Sequence, residues 1–176
     1  QYGINDYIAG TSAATVVGYL KSLIDKIIGA GIPVVFESTN PAAPSSVSYI
    51  NGYSASGGFG ASAAAKLAEM QSGNAQMKAW LAQFPSNIAR YVDTSSVSTA
   101  SDGYAKTDKT YYDGTHMSRV GCRAAAAIID AAIVDAFPRK YGQRIKAQYP
   151  NGLNRSWLTP TSGRALNTST LQVEAG

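Results

Sequence analysis

The only histidine of the 176-residue chain, His116, follows Asp113 by three positions. Histidine can take up and return a proton near neutral pH. A carboxylate three residues away on a tight turn can lie on the same side and hold the imidazole in one orientation. Gly114, between them, lets the backbone turn sharply. The spacing therefore predicts a general acid–base pair, although a solvated histidine beside an unrelated aspartate has the same local pattern.

A second candidate, Asn5, lies in the segment Gly3-Ile4-Asn5-Asp6. Asn and Asp favour loops and cap backbone groups, so we interpret this segment as the end of a strand that runs into a loop, with a simple terminal turn as the alternative. An asparagine amide at such a position can donate a hydrogen bond to a developing oxyanion.

Helices and strands alternate between these two sites. Apolar spacing and capping signals predict a helix that starts at Thr11 or Ser12, a strand, a helix that breaks near Gly73, a second strand, and an Ala-rich helix that starts at Ser118. The strands are predicted at residues 32–37 and 88–93. The first helix is predicted to end at Gly29 and Gly31, the second to span about residues 61–84, and the last to end just before Pro138. This order is typical of an α/β fold with a mostly parallel sheet, in which chemistry gathers at the carboxyl ends of the strands.

Composition excludes several other classes of function. The single Cys122 permits no internal disulfide and no Cys-x-x-Cys metal site, and its Ala-rich surroundings predict a small core residue. No Gly-rich phosphate loop opens a helix, so we expect no cofactor and no metal. No apolar run approaches the ~20 residues of a membrane span, and no leader pattern follows Gln1. The Gly-, Ser-, Thr- and Tyr-rich composition suits a secreted or virion-associated protein.

The charge distribution suggests a boundary near Pro138. Residues 138–176 hold six Lys or Arg against one Glu and have little amphipathic order. We therefore expect residues 1–137 to form a domain and residues 138–176 to form a basic extended tail or linker. Binding of nucleic acid or an anionic glycan by this tail is a weaker interpretation than a solvated extension.

Taken in order, the Gly3-x-Asn5-Asp6 segment, a helix, a Gly-Ile-Pro-Val-Val strand and Asp113-x-x-His116 before an Ala-rich helix resemble the C-terminal two-thirds of the SGNH (GDSL-type) serine esterases. The resemblance covers residues 1–137. It implies a three-layer α/β/α, flavodoxin-like fold with a mostly parallel sheet, incomplete at its N-terminus. It also implies that His116 is the general base, that Asp113 orients it, and that Asn5 contributes to the oxyanion hole.

The chain departs from this family because no Gly-Asp-Ser block precedes Gly3. Ser38, after a strand, and Ser12, more simply a helix cap, are weak substitutes for the missing nucleophile. A circular permutation is disfavoured, since the tail has no Gly-Asp-Ser either. We therefore expect an N-terminal segment with Gly-Asp-Ser, in the same or another chain. Without it, the sheet would expose an apolar edge, so this chain would not be a self-sufficient fold.

The resemblance implies a serine ester hydrolase, an acyl or acetyl esterase that acts on a carbohydrate or another extracellular ester. Tyr-, Ser- and Gly-rich loops at 38–60 and 94–112 could form a sugar-binding rim, or be ordinary surface loops. We expect an acylated small molecule or glycan as substrate, and neither nucleic acid nor membrane as partner. The alternative is a non-catalytic binding or structural module, such as an adhesin or phage tail component that retains the fold.

Overall fold

The computed structural model describes residues 3–45, 57–106, 108 and 110–137, together with the backbone of two short strands at 166–167 and 172–173. Its elements are five helices, α1 to α5, and four strands, β1 to β4, numbered in chain order. They are α1 (Ile4–Ala9), α2 (Ala13–Gly29), β1 (Val34–Glu37), α3 (Ala63–Leu81), β2 (Ala89–Val92), α4 (Ser95–Ser98), α5 (Arg119–Ala136), β3 (Leu166–Asn167) and β4 (Gln172–Val173). None of the helices in the described ranges is long and apolar enough to cross a membrane.

The two predicted strands pair in parallel. Val34 lies opposite Ala89, and the register continues to Glu37 opposite Val92. A parallel pair needs a long crossover, and α3 lies within that connection. The result is an α/β fold, as the alternation of elements predicted. Strand β1 is only partly covered by the described part of the chain, where Phe36 is its one buried residue.

Helices α2 and α3 pack against each other, α2 contacts β1 and α3 contacts β2. Val16 and Val17 of α2 belong to two separate hydrophobic clusters. The first cluster joins α1, α2 and α3, and the second joins α2 and α3 to the strands. The buried members of the second cluster are Val17, Ile24, Phe36, Met77, Leu81 and Ala89. This packing against α2 and α3 fixes the positions of β1 and β2.

The predicted break at Gly73 is wrong, because α3 runs without interruption from Ala63 to Leu81. Gly73 serves close packing instead. A Cβ atom built on it would lie 2.0 Å from the Tyr7 hydroxyl oxygen, so only glycine lets α1 approach α3 this closely. The prediction of a helix in this region is thus confirmed. Gly73 does not end the helix but lies where α3 contacts Tyr7 of α1.

Two of the predicted helix starts are confirmed by their caps. The Ser12 hydroxyl accepts a hydrogen bond from the Thr15 backbone N–H at 3.4 Å, and the Ser118 hydroxyl accepts from the backbone N–H groups of Val120 and Gly121 at 3.2 Å each. These bonds satisfy donors that the first turn of a helix leaves unpaired.

Contacts divide the chain into two units, residues 1–132 and residues 133–176. In the second unit, β3 and β4 pair antiparallel, with Leu166 opposite Val173 and Asn167 opposite Gln172. The rest of the predicted tail lies outside the described residues, so the domain boundary at residue 137 stays a prediction.

Candidate active site

The Asp113–His116 turn holds its two side chains in direct contact. The His116 Nδ1 atom lies 2.8 Å from Asp113 Oδ2. The other carboxylate oxygen, Oδ1, accepts hydrogen bonds from the backbone N–H groups of Thr115 and His116, at 2.7 Å each. Asp113 is 3% exposed. A buried carboxylate with three donors around it has one fixed orientation, so it can fix the ring beside it.

The chemical state of the imidazole follows from that contact. An ionised carboxylate only accepts hydrogen bonds, so the hydrogen of a neutral His116 ring belongs on Nδ1 and Nε2 carries the lone pair. The His116 side chain is 59% exposed, which leaves it accessible to a reacting group. The ring of Tyr112 stacks on it at 5.6 Å between centroids, with 12° between the planes. An imidazole oriented in this way can accept a proton at Nε2 and return it.

A small hairpin presents this turn. Tyr111 and Met117 form an antiparallel bridge, the Tyr112 N–H donates to the His116 carbonyl at 3.1 Å, and the Ser118 N–H donates to the Thr110 carbonyl at 2.8 Å. The Tyr111 hydroxyl is buried and donates to the Pro41 carbonyl at 3.0 Å. The hairpin is therefore tied to the segment that follows β1.

A second segment supports the turn from outside. The Gly58 N–H donates to the Thr115 hydroxyl at 3.0 Å. A Cβ atom built on Gly57 would lie 2.1 Å from that same hydroxyl oxygen, and one on Gly114 would lie 2.9 Å from the Gly58 nitrogen. Gly114 has no positive φ. The sequence interpretation was that Gly114 lets the backbone turn sharply. In the structure, a glycine is needed here because the backbone of Gly57 and Gly58 approaches it too closely for a Cβ atom.

Asn5 lies on α1, in the first turn after Gly3, whose φ is +86°. The interpretation of this segment as a loop is wrong for residues 4–9, which are helical. Ile4 and Tyr7 are buried in the first hydrophobic cluster, and this packing holds the short helix although Asn and Asp are weak helix formers. Asn5 is exposed, on the side of α1 that does not enter the cluster.

Asn5 and His116 line the same cavity, which has a volume of about 500 Å³. Its polar lining comes mainly from the carboxyl end of β1, from α1 and from the hairpin, and its apolar lining comes mainly from α5. The lining residues are Ile4, Asn5, Glu37, Asn40, Tyr112, Thr115, His116, Met117, Cys122, Ala125, Ala126 and Ile129. The structure thus brings all three sequence-predicted site residues to one place, with Asp113 buried directly behind His116.

A buried polar network that the sequence interpretation missed lies at the edge of this cavity. Asn40 is 1% exposed, and its Nδ2 donates to Glu37 Oε1 at 3.0 Å and contacts the Met117 sulfur at 3.6 Å. The Thr94 hydroxyl lies 3.0 Å from Glu37 Oε1 and 2.9 Å from Asn40 Oδ1. Its single proton is shared between these two acceptors.

Residues 38–43 form a loop, as predicted, but all six are buried, so this part of the segment is not an ordinary surface loop. Polar groups here are paired internally. The Asn74 side chain, from α3, bonds both the N–H and the carbonyl of Thr39 at 2.9 Å each. The Asn74 amide thus pairs the backbone groups of Thr39 as a neighbouring strand would. Such a contact between residues far apart in the chain cannot be predicted from a local sequence pattern. Residues 46–56 of the predicted rim lie outside the described residues.

Neither substitute serine is presented as a nucleophile. Ser12 is a helix cap, as described above. Ser38 is 4% exposed, accepts a hydrogen bond from the Thr94 N–H at 3.0 Å and contacts the Thr94 hydroxyl at 3.2 Å. Neither serine lines the cavity that holds His116. Both hydroxyl groups are engaged in structural hydrogen bonds.

Cys122 differs from its prediction as a core residue. It is exposed and lines the cavity, and its Sγ contacts the Met117 carbonyl oxygen at 3.8 Å. Two alanines of α5 are buried, Ala125 at 4% and Ala136 at 6% exposed. The Ala-rich stretch made every face of α5 look alike in sequence, so the buried face could not be chosen by periodicity.

Two carboxylates near the site have lowered pKa values. Burial pushes the pKa of Asp93 upward, but hydrogen bonds from the Ser95 side chain and N–H outweigh that effect and bring it below the usual value. The side chain and N–H of Thr110 lower the pKa of Asp108. Each accepts from a backbone N–H two residues later, at 2.9 and 2.7 Å. These are turn-stabilising bonds, and neither residue lines the cavity.

No group of three or more His, Cys, Asp or Glu side chains converges within the described ranges in a way that would hold a metal ion. The residues that line the cavity carry an imidazole, amides, a carboxylate, two hydroxyl groups, a thiol and apolar side chains. The imidazole and the carboxylate can transfer protons, and the amides and hydroxyl groups can form hydrogen bonds.

No protein-family model matches the chain, and no curated protein matches it. Among solved structures, the chain is similar to the crystal structure of a candidate acylhydrolase from Bacteroides fragilis, with a TM-score of 0.53 and 22% sequence identity. The match covers 71% of this chain and 53% of that protein, so the chain spans about half of its length. At this identity, the likeness establishes the fold alone.

Proposed function

We propose that this chain forms the histidine-bearing part of an SGNH-type serine ester hydrolase. The observation that carries the proposal is the 2.8 Å contact between His116 Nδ1 and the buried Asp113, beside a cavity that Asn5 also lines. The acylhydrolase description of the solved neighbour supports a hydrolase. The proposal includes a three-layer α/β/α arrangement, in which a mostly parallel sheet larger than the β1–β2 pair has helices on both faces.

In the proposed reaction, His116 Nε2 takes the proton of a serine hydroxyl as the serine oxygen attacks the ester carbonyl carbon. The protonated ring then gives that proton to the leaving alcohol, and water repeats the two steps to release the acid. Asp113 holds the ring and stabilises its protonated form. The Asn5 amide donates to the oxyanion, an interaction worth about 3–4 kcal/mol at one protease site.

The serine of this reaction belongs to a Gly-Asp-Ser segment outside residues 1–176, in the same or another chain. Ser12 and Ser38 are held in structural bonds, which favours this location. The substrate is an ester of a carbohydrate or another extracellular alcohol, and the protein acts in a secreted or virion-associated setting. The Gly-, Ser- and Tyr-rich composition supports that setting.

The test is fluorophosphonate labelling of the complete natural protein, followed by peptide mapping. We expect one labelled serine, in a Gly-Asp-Ser peptide, and we expect His116→Ala to abolish labelling while far-UV circular dichroism stays unchanged. An Asp25→Asn variant, on the exposed side of α2, serves as control and should label normally. A label on Ser12 or Ser38 would refute the location of the nucleophile. No label beside active control esterases would favour the non-catalytic binding module.

A further inference from the structure

The cavity has two chemically different sides. Its apolar side includes Ile4, Met117, Ala125 and Ile129, which can contact hydrocarbon. Its polar side has one carboxylate, that of Glu37, on the same wall as Asn40. No Lys or Arg is among the described residues that line it. A ligand in this cavity therefore meets a negative charge without a compensating cation.

The Glu37 carboxylate is held by one oxygen only. Its Oε1 atom lies 3.0 Å from both the Asn40 amide nitrogen and the Thr94 hydroxyl. Within the described part of the chain, no residue donates a hydrogen bond to the second oxygen, Oε2. Because Asn40 is 1% exposed and Thr94 is fully buried, the two donors cannot move away, and the carboxylate keeps one orientation.

A carboxylate oxygen fixed in this way accepts hydrogen bonds and does not donate them when ionised. It repels anionic groups and attracts hydroxyl groups, and a hydrogen bond to a charged acceptor is among the stronger ones. The acidic Asp113 behind His116 adds to the negative potential of this region. The cavity is thus better matched to a neutral, hydroxyl-bearing ester than to an anionic one.

We propose that Glu37 determines specificity by accepting a hydrogen bond, at its free carboxylate oxygen, from a hydroxyl on the alcohol part of the substrate. The inference rests on the proposed ester hydrolysis. It adds that the preferred substrates are esters of polyols or neutral sugars, with a free hydroxyl near the scissile bond. Asn40 and Thr94 act as positioning residues for Glu37.

The test compares two esters of equal size, 2-hydroxyethyl acetate and propyl acetate, which differ by a hydroxyl in place of a methyl group. Acetate release by the complete natural protein gives kcat/KM for each. We expect the wild type to favour 2-hydroxyethyl acetate by roughly tenfold or more, the range for a hydrogen bond to a charged group. Acetylcholine, which replaces the hydroxyl by a trimethylammonium group, is the third substrate.

The matched variant is Glu37→Gln. The two donors hold the amide oxygen where Oε1 was, so the –NH₂ group takes the place of Oε2 and the acceptor there is replaced by a donor. The preference should fall several-fold, because the hydroxyl of 2-hydroxyethyl acetate then meets a neutral donor in place of a charged acceptor. Asp25→Asn removes a carboxylate elsewhere and should keep the wild-type preference. Should Glu37→Gln fail to fold, Glu37→Asp, which withdraws the carboxylate by one methylene, should also lower the preference.

The outcomes separate this inference from the proposed function. If the wild type hydrolyses both small esters equally well, or if Glu37→Gln keeps the preference, the role of Glu37 is refuted and ester hydrolysis stands. A Glu37-dependent preference for acetylcholine over both other esters would overturn the hydroxyl assignment in favour of a cation. If none of the three esters is hydrolysed, the proposed function fails, and this inference fails with it.

Discussion

Replacement of Asp113 by Asn tests whether this carboxylate orients His116. The Asn amide oxygen can occupy the place of Oδ1 and still accept from the N–H groups of Thr115 and His116, both at 2.7 Å in the native turn. The –NH₂ group then faces His116 Nδ1, where it can donate but cannot accept. The ring is driven to the tautomer with hydrogen on Nε2, and Nε2 can no longer take a proton.

The expected cost in activity is large and the expected cost in stability is small. The same change in a serine protease triad lowers kcat about 10⁴-fold, which corresponds to about 5 kcal/mol in the activation free energy. The Asn side chain keeps both N–H bonds at the position of Oδ1 and reverses the bond to His116, so unfolding should become easier by only about 1–3 kcal/mol. Asp113→Ala also leaves two N–H groups without their acceptor, and should cost about 2–5 kcal/mol.

The assay pairs ester hydrolysis by the complete natural protein with urea unfolding of each variant. Asp108→Asn is the control, since Asp108 lies on the same loop, accepts one backbone N–H at 2.7 Å and does not line the cavity. We expect its kcat to stay within about twofold of the wild type. If Asp113→Asn retained more than a tenth of the wild-type kcat with an intact fold, Asp113 would not orient the base, and the proposed mechanism would be refuted.

Three further measurements test other parts of the structure. The exposed Cys122 should react with Ellman's reagent in the native state as fast as in urea, and slow reaction would contradict its exposure. Gly73→Ala should destabilise the fold by about 1–3 kcal/mol, because the new methyl group would collide with Tyr7. Gly18→Ala, with no atom within 4 Å of the new Cβ, should stabilise it by about 0.5–1 kcal/mol. Equal effects of the two changes on unfolding would refute the close packing of Gly73 against Tyr7. Burial, with nearby carboxylates, raises the pKa values of Tyr7 and Tyr91 from 10.0 to about 12. The stability that these two groups contribute is therefore complete below pH 10 and is lost as the pH rises toward 12. The urea concentration at the midpoint of unfolding should fall over that pH interval. If the tyrosinate absorbance at 295 nm reached its full value by pH 11, the raised pKa values would be contradicted.

Features encoded by adjacent residues were predictable from the sequence. The caps at Ser12 and Ser118, the two strands and the Asp113–His116 contact each depend on groups fewer than about seven residues apart. Their signals are capping chemistry, apolar runs and turn geometry, which act locally. The class of fold follows from the order of these elements, and it was predictable for the same reason.

Features that depend on distant partners were not predictable. Gly73 was interpreted as a helix stop because its partner, Tyr7, comes from another helix. Asn40 gave no signal, since its role depends on Thr94, a residue 54 positions later. Asn5 was placed in a loop because its own propensity was considered without the packing of Ile4. In each case, tertiary contact overrode a local preference.

The contact between Gly57 and Thr115 has a consequence for how this sequence can diverge. A side chain at position 57 would collide with the Thr115 hydroxyl, and the φ of +76° at this position is strained for residues other than glycine. Gly57→Ala should therefore displace the turn, and adding Thr115→Gly should relieve the collision but not the backbone strain. Distant relatives that keep this turn should keep a glycine at the position equivalent to 57, which lies 58 residues before Thr115. Such a glycine could help to identify kin of this protein whose overall identity is too low to align.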